Sequence, residues 1–361
     1  MKKGILLSAY ALLMVITIGL VSCSSQEKLY VLNWAEYMDP DLVEEFEDMY
    51  GVDVVYEEVG SNEEMEIKLK QGITPYDIII PSDYMIDKLS QEDLLQTIDY
   101  DLLTNLEDVD FFDDAKNLYE DEDFGDYLVP YFFGTIGIMY NTEVSGIKDA
   151  IEEDEFCALF DPTSSYTIGL YDSPRDTVGA ALMCLGYSVN SFDEDELNQA
   201  QALIADVLSR SNGHTFFGQD DLKGDVARGN KDMALVYSGD YFEMLFEYEE
   251  SGEDIEFDYY APSHTNIWID AFVIPKVSEN TEMAHNFINF FLDPEIAARN
   301  ADWVGYTPVI TDVYQTMVND YGYDYDHYYP QPDGTTREVF MFISNEHAEK
   351  LNMILNTVRA Q

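Results

Sequence analysis

YVLNWAEYMDPDLVEEFEDMYGVDVVYEEVGSNEEMEIKLKQGITPYDIIIPSDYMIDKL, residues 30–89, is the stretch that decides the fold. Residues 30–33 read as a strand. Asp39 and Pro40 then open a helix, with Asp39 as N-cap and the proline at the first helical position, where a missing N–H loses nothing. Leu42, Val43, Phe46, Met49 and Tyr50 recur at helical spacing, and Gly51 ends the run. Val52, Val54 and Tyr56 form a second strand. Ser61-x-x-Glu64 is a capping box for a second helix, which Gly72 stops. Residues 76–81, YDIIIP, are a compact apolar run of the kind buried on both faces of a parallel sheet. Residues 82–89 begin another helix. Strand, helix, strand, helix in this order predicts an α/β sheet with helices on both faces.

Outward from this stretch the alternation continues. Residues 135–140 read as a strand, 168–171 as a strand followed by a helix over 176–185, and 233–238 (MALVYS) as a buried strand with a helix from Tyr241. Residues 268–275 (WIDAFVIP) are a further strand, 282–292 a helix, and 346–359 the closing helix. There is no repeat or Pro/Gly/Ser-rich linker, and 361 residues suffice for two domains with separate cores.

The first residues read as an export signal. Lys2 and Lys3 precede an uncharged apolar run over 4–22, and Leu20-Val21-Ser22-Cys23 closes it. A cysteine directly after a small residue resembles the bacterial lipoprotein signal, which implies that residues 1–22 are removed, that Cys23 carries the lipid, and that 23–27 tether the chain to a membrane. No later run is long and uncharged enough to span a bilayer. Cys157 and Cys184 fit no zinc spacing and are expected to be buried free thiols, although they could pair.

Charge narrows the partners. The chain has 72 acidic and 18 basic residues, a formal net charge of −54. Such a chain repels nucleic acid and anionic lipid and draws in cations. Most of these acids serve a solvated surface, as in the runs 152–155, 193–196 and 247–250, and the aromatic segment 321–329 (YGYDYDHYY) reads as a surface loop. The five histidines are scattered, and no phosphate loop, nucleophile elbow or HExxH motif occurs, so neither a metal nor a cofactor is expected.

Short motifs fall where strands end. They are NWAEY (33–37), DIIIPSDY (77–84), VPYFFGTIGIMYN (129–141), DSPRD (172–176), LGYS (185–188), YSGD (237–240), WID (268–270) and VGYTP (304–308). In this order, from about residue 28 to 310, they resemble the periplasmic spermidine/putrescine-binding proteins of polyamine ABC transporters. The resemblance implies a two-lobed α/β fold with two crossovers and a ligand cleft between the lobes. Lobe one would comprise 28–138 and 269–312, and lobe two 139–268 and 313–361. It also implies a monomer outside the cytoplasm that captures a polyamine and passes it to transporter permease subunits without catalysis.

The residues suit such a ligand on physical grounds. A polyamine is a hydrocarbon rod with ammonium groups. A buried ammonium needs a carboxylate and further hydrogen bonds, while aromatic faces cover methylenes and attract cations. The motifs supply Trp34, Tyr37, Tyr84, Tyr237, Trp268 and Tyr306 as rings and Glu36, Asp176, Asp240 and Asp270 as acids, with Ser82 as a further contact. Ser82, Asp176 and Asp240 also read as helix caps. Arg175 is the one fixed positive charge in the motifs. The family's Asp-Ala-Arg-Glu run is here Ser173-Pro174-Arg175-Asp176, and Tyr237 stands for a tryptophan, while Asp240 resembles an acid of putrescine-type members. Two other readings stay open: a binding protein for a different solute, which if anionic would need an Arg or Lys clamp, and a glycan hydrolase with paired carboxylates.

Overall fold

The computed structural model describes residues 27–120, 125–210, 214–323, 328 and 335–360. The signal reading for 1–22 and the lipidation reading for Cys23 lie outside the described residues. Strand β1 (Glu27–Trp34) runs parallel to β2 (Val52–Val59) on one edge and to β3 (Ile78–Ile79) on the other. The caps sit where the sequence puts them. Asp39 accepts from the Asp41 N–H (2.9 Å), Ser61 Oγ accepts from the Glu64 N–H (3.1 Å), and Gly51 and Gly72 end their helices in the left-handed region. Asp77 pins this corner: Oδ2 accepts from the Tyr30 N–H (3.0 Å) and Oδ1 from the Ser278 hydroxyl (2.7 Å).

Beyond β3 the first sheet is antiparallel except where β13 runs parallel to β11. Its order is β12 (Thr307–Pro308), β5 (Leu128–Gly134), β11 (His264–Pro275), β3, β1, β2, and β4 (Leu95–Gln96) and β13 (Thr336–Val339) also pair with β11. β11 runs antiparallel to both β3 and β5. Hydrophobic periodicity marked residues 268–275 as a strand but carries no information about direction, so the mixed sheet had no signal in the sequence. The second sheet has the order β10 (Phe257–Tyr260), β6 (Ile136–Asn141), β9 (Met233–Tyr237), β7 (Ile168–Tyr171), β8 (Thr215–Gly218). Leu29, Leu32, Ile79, Phe132, Phe272 and Phe287 center the core of the first lobe, and Ile138, Phe160, Leu170, Ala181, Ile204 and Leu235 that of the second.

The chain passes between sheets at Thr135, between β5 and β6, and again between β10 and β11. Helix Thr311–Thr316 packs on helix Pro294–Val304 and on β12, so this stretch stays with the first sheet past residue 313, where the sequence reading changed lobes. Helix Asn345–Arg359 packs against helices Pro174–Cys184 and Glu194–Arg210 of the second lobe.

Two expectations need correction. Cys157 and Cys184 form a disulfide, with Cα atoms 4.8 Å apart. The fold sets the 3-10 turn Glu155–Phe160 beside the end of helix Pro174–Cys184, a proximity that spacing cannot report. In the segment 321–329, read as a surface loop, residues 324–327 and 329 lie outside the described residues, and Tyr328 departs from that reading. Tyr328 is fully buried and packs against Phe242 (5.3 Å between ring centers), Tyr314 (5.7 Å) and Tyr323 (5.0 Å). Its hydroxyl donates to the Tyr306 carbonyl (3.2 Å). Rings drawn inward by apolar burial are disguised in the sequence by the acids between them.

Candidate functional site

A cleft of about 470 Å³ lies between the two lobes, and every residue singled out as a ring, acid or hydroxyl contact lines it. Trp34 is the last residue of β1. The following turn puts Glu36 in the left-handed region (φ 52°), exposed at the rim, and returns Tyr37 to the interior. The Tyr37 ring meets Tyr131, Phe132 and Tyr306 edge-on at 5.4–5.6 Å. Ser82 stands at the N-cap of helix Asp83–Gln91 but makes no capping bond. Its Oγ instead accepts from Asn62 Nδ2 (3.0 Å), and its backbone bridges to Asp270 on β11. Asp83, inside the DIIIPSDY motif but not singled out as a contact, is buried and accepts from the N–H groups of Tyr84 (2.6 Å) and Ile269 (3.1 Å), joining the helix to β11. Burial still pushes its carboxyl up to about 8.

The second lobe supplies the opposite wall. Ser173 caps helix Pro174–Cys184 and places Asp176 in its first turn, where Oδ2 accepts from the Tyr237 hydroxyl (2.9 Å). Helix Ser238–Ser251 begins directly after β9, earlier than the expected start at Tyr241, so Asp240 is inside the first turn and is not the N-cap. Asp240 Oδ2 accepts from the Tyr237 N–H (3.1 Å). The Trp268 ring lies 6.1 Å from Tyr237, nearly perpendicular, and 5.4 Å from Tyr306.

Two glycines permit this closeness. A Cβ on Gly134 would lie 2.4 Å from the Trp268 ring, and one on Gly239 would lie 2.0 Å from the Tyr306 ring. Arg175 crosses the cleft. Its guanidinium sits 3.8 Å from the center of the Tyr84 ring, and its Nη1 donates to the Met341 carbonyl (3.3 Å). Away from the cleft, Arg337 of β13 pairs with Asp114 (2.7 Å) beside the first sheet, and the Phe342 N–H, on the segment leading to the second-lobe helix Asn345–Arg359, donates to Asp87 of the first lobe (3.3 Å).

The acids differ in what faces them. Asp270 is only 5% exposed, and its Oδ1 has no hydrogen-bond partner among the described residues. Burial raises its carboxyl to about 7, tempered by the neighboring Ser82 and Tyr37 hydroxyls. Burial also raises Asp176, held back by Ser173 and Tyr237. Asp240 rises to about 6 through burial, opposed by the Lys223 ammonium. Lys223, from helix Asp221–Ala227, is a charged cleft residue that sequence reasoning missed. Its Nζ lies 3.3 Å from Asp240 Oδ1 and 2.5 Å from Glu243, and no motif pointed to it. Among the described residues, the Trp34 and Trp268 indole N–H groups and Asn266 Nδ2 also line the cleft without hydrogen-bond partners. Buried polar groups are nearly always satisfied, so their convergence on one cleft marks it as a place that holds a polar guest.

The comparisons agree with this geometry. The family model described as bacterial extracellular solute-binding protein matches residues 41–322. The chain belongs to this family. This solute-binding protein is 31% identical over 310 residues to the putrescine-binding periplasmic protein of Pseudomonas aeruginosa, covering 81% of this chain and 83% of that one. Its fold is similar to that of a solved putative spermidine/putrescine ABC transporter from Listeria monocytogenes, with a TM-score of 0.77 at 32% identity over 92% of this chain and 99% of the other. It is similar also to a lipoprotein of Treponema pallidum, with a TM-score of 0.74 at 26% identity over 93% and 100% of the two chains. The solute-binding protein thus has the two-lobed α/β architecture expected from its motifs.

Proposed function

We propose that this solute-binding protein captures a polyamine, putrescine or spermidine, outside the cytoplasm and delivers it to the permease subunits of an ABC transporter. The observation that carries the reading is Asp270, a buried carboxylate that no cation among the described residues meets, in a cleft walled by Trp34, Tyr37, Trp268 and Tyr306. An ammonium would supply the missing charge partner, and the ring faces would cover the methylenes. Asp176 and Tyr237 complete the wall from the far side, with Tyr84 and Ser82 on the near side, Ser82 beside Asp270, and Glu36 at the rim. Relatives named for putrescine or spermidine support the same ligand class.

The protein acts by binding, without catalysis. A ligand that touches both lobes favors the arrangement in which they meet, and the transporter would read that arrangement. The export signal and the Cys157–Cys184 disulfide support an oxidizing, extracytoplasmic location, with Cys23 as the lipid anchor and a single chain as the working unit. Calorimetric titration of the mature chain with putrescine, spermidine and cadaverine tests the reading. The expected dissociation constant for at least one of them is on the order of micromolar or tighter. No binding heat with any of the three up to about 1 mM, far above that range, overturns it.

A further inference from the structure

The cleft's acids are not equivalent, because the protein brings its own ammonium to one of them. Lys223 Nζ lies 3.3 Å from Asp240 Oδ1 and 2.5 Å from Glu243, and its side chain is largely buried along the cleft wall. Asp240 itself is 4% exposed. This pair reproduces inside the protein the contact that a ligand ammonium would make. Among the described residues Asp270 has no such partner, and its Oδ1 is unpaired there. Tyr237 stands between the other two acids, its hydroxyl bonded to Asp176 and its N–H to Asp240. A ligand long enough to place an ammonium at Asp240 must therefore displace Lys223 or meet its positive charge.

We propose that Lys223 is a specificity-determining residue that closes the Asp240 end of the cleft to a further ammonium and biases this protein toward diamines over triamines. The inference rests on the polyamine reading above and extends it to ligand length. Like charges at one carboxylate repel, and taking an ammonium's place at a buried acid forfeits a charged hydrogen bond. A diamine anchored at Asp270 avoids both costs. A triamine, with one more ammonium to satisfy, does not.

The test compares spermidine and putrescine titrations of the mature wild-type chain with those of Lys223→Met at pH 8, where Asp240 is ionized. Removing the resident ammonium frees Asp240 and Glu243 for the ligand. The spermidine-to-putrescine affinity ratio is then expected to rise about tenfold or more, the range of one charged hydrogen bond. Lys223→Arg keeps the charge and is expected to hold the wild-type ratio. In Lys223→Met/Asp240→Asn the gain is expected to disappear, which would assign it to Asp240. Should Lys223→Met not fold, Lys223→Gln, which keeps a hydrogen-bonding head without charge, gives the same reading. A wild-type protein that binds putrescine together with an unchanged ratio in the uncharged variant overturns the inference and leaves the polyamine reading intact. Failure of wild type and variant alike to bind either amine overturns both.

Discussion

Asp270 concentrates the site's chemistry in one side chain. It follows a tryptophan in an apolar strand, a position where an acid is costly unless a cation meets it. That made it legible in the sequence. Trp34 and Tyr37, three residues apart after a strand, were legible in the same way. Lys223 was not, because a lysine in a short helix reads as solvated until the fold turns it toward Asp240. Asp83 and Asn266 were equally silent, since their roles depend on which backbone groups β11 brings near. Asp270→Asn removes the charge while keeping the shape. Its polyamine affinity at pH 8 is expected to fall by about 3 kcal/mol, roughly 100-fold or more, as for one partner lost from a buried ion pair. Titration calorimetry measures this. Since a charge no longer has to be buried, the ligand-free variant should unfold at a denaturant concentration no lower than wild type at that pH. An affinity within about threefold of wild type, half a kcal/mol or so, would remove Asp270 from the site.

Secondary elements were legible where local chemistry sets them and obscure where partners do. Asp39, Ser61, Gly51 and Gly72 mark helix ends through their own side chains or backbone freedom, and the structure keeps each mark. β5 and the antiparallel course of β11 depend on pairings far apart in sequence, and neither direction nor register follows from hydrophobic pattern. The disulfide belongs to the same class, as it ties a 3-10 turn to the end of the helix whose first turn carries Asp176. Helix Ser238–Ser251 matters most for closure, because Gly239 lets its first turn approach the Tyr306 ring. Gly239→Ala would place a methyl carbon where that ring now lies. Forced overpacking costs about 1–3 kcal/mol, and because Gly239 belongs to the second lobe and Tyr306 to the first, opening the cleft relieves it. Polyamine affinity should therefore drop by about fivefold to 100-fold, with the thermal midpoint of the ligand-free chain nearly unchanged. A loss of ligand-free stability equal to the loss of affinity would mean that Gly239 serves packing within one lobe and not the meeting of two.

Across the whole molecule, charge and burial act together on stability. The formal charge of −54 was plain from composition, as were two lobes from length and motif order, whereas the burial of Tyr328 required the folded chain. Three cleft acids, Asp83, Asp240 and Asp270, titrate near 8, 6 and 7 when folded. In the unfolded chain they lie near the ordinary carboxylate value of about 4. Between those limits the folded state holds more protons than the unfolded one, so stability rises as pH falls from 8 toward 5 and is lost as pH rises. Glu57, Glu66 and Asp225 shift the other way, each lowered, and their contribution is lost only when pH falls below the ordinary carboxylate range. They are constant across the window. Partial relief of acidic self-repulsion has the same sign as the cleft acids. The ligand-free protein is thus expected to be more stable at pH 5.5 than at pH 8, with Asp270 alone contributing on the order of 2 kcal/mol. Bound polyamine should reverse the order of its own effect. It needs Asp270 ionized, so the stabilization it confers should be larger at pH 8 than at pH 5.5, with protons released on binding near pH 7. Denaturant melts with and without putrescine at both pH values measure both trends, and a ligand increment that is larger at pH 5.5 would mean that the bound species is not a cation meeting this carboxylate.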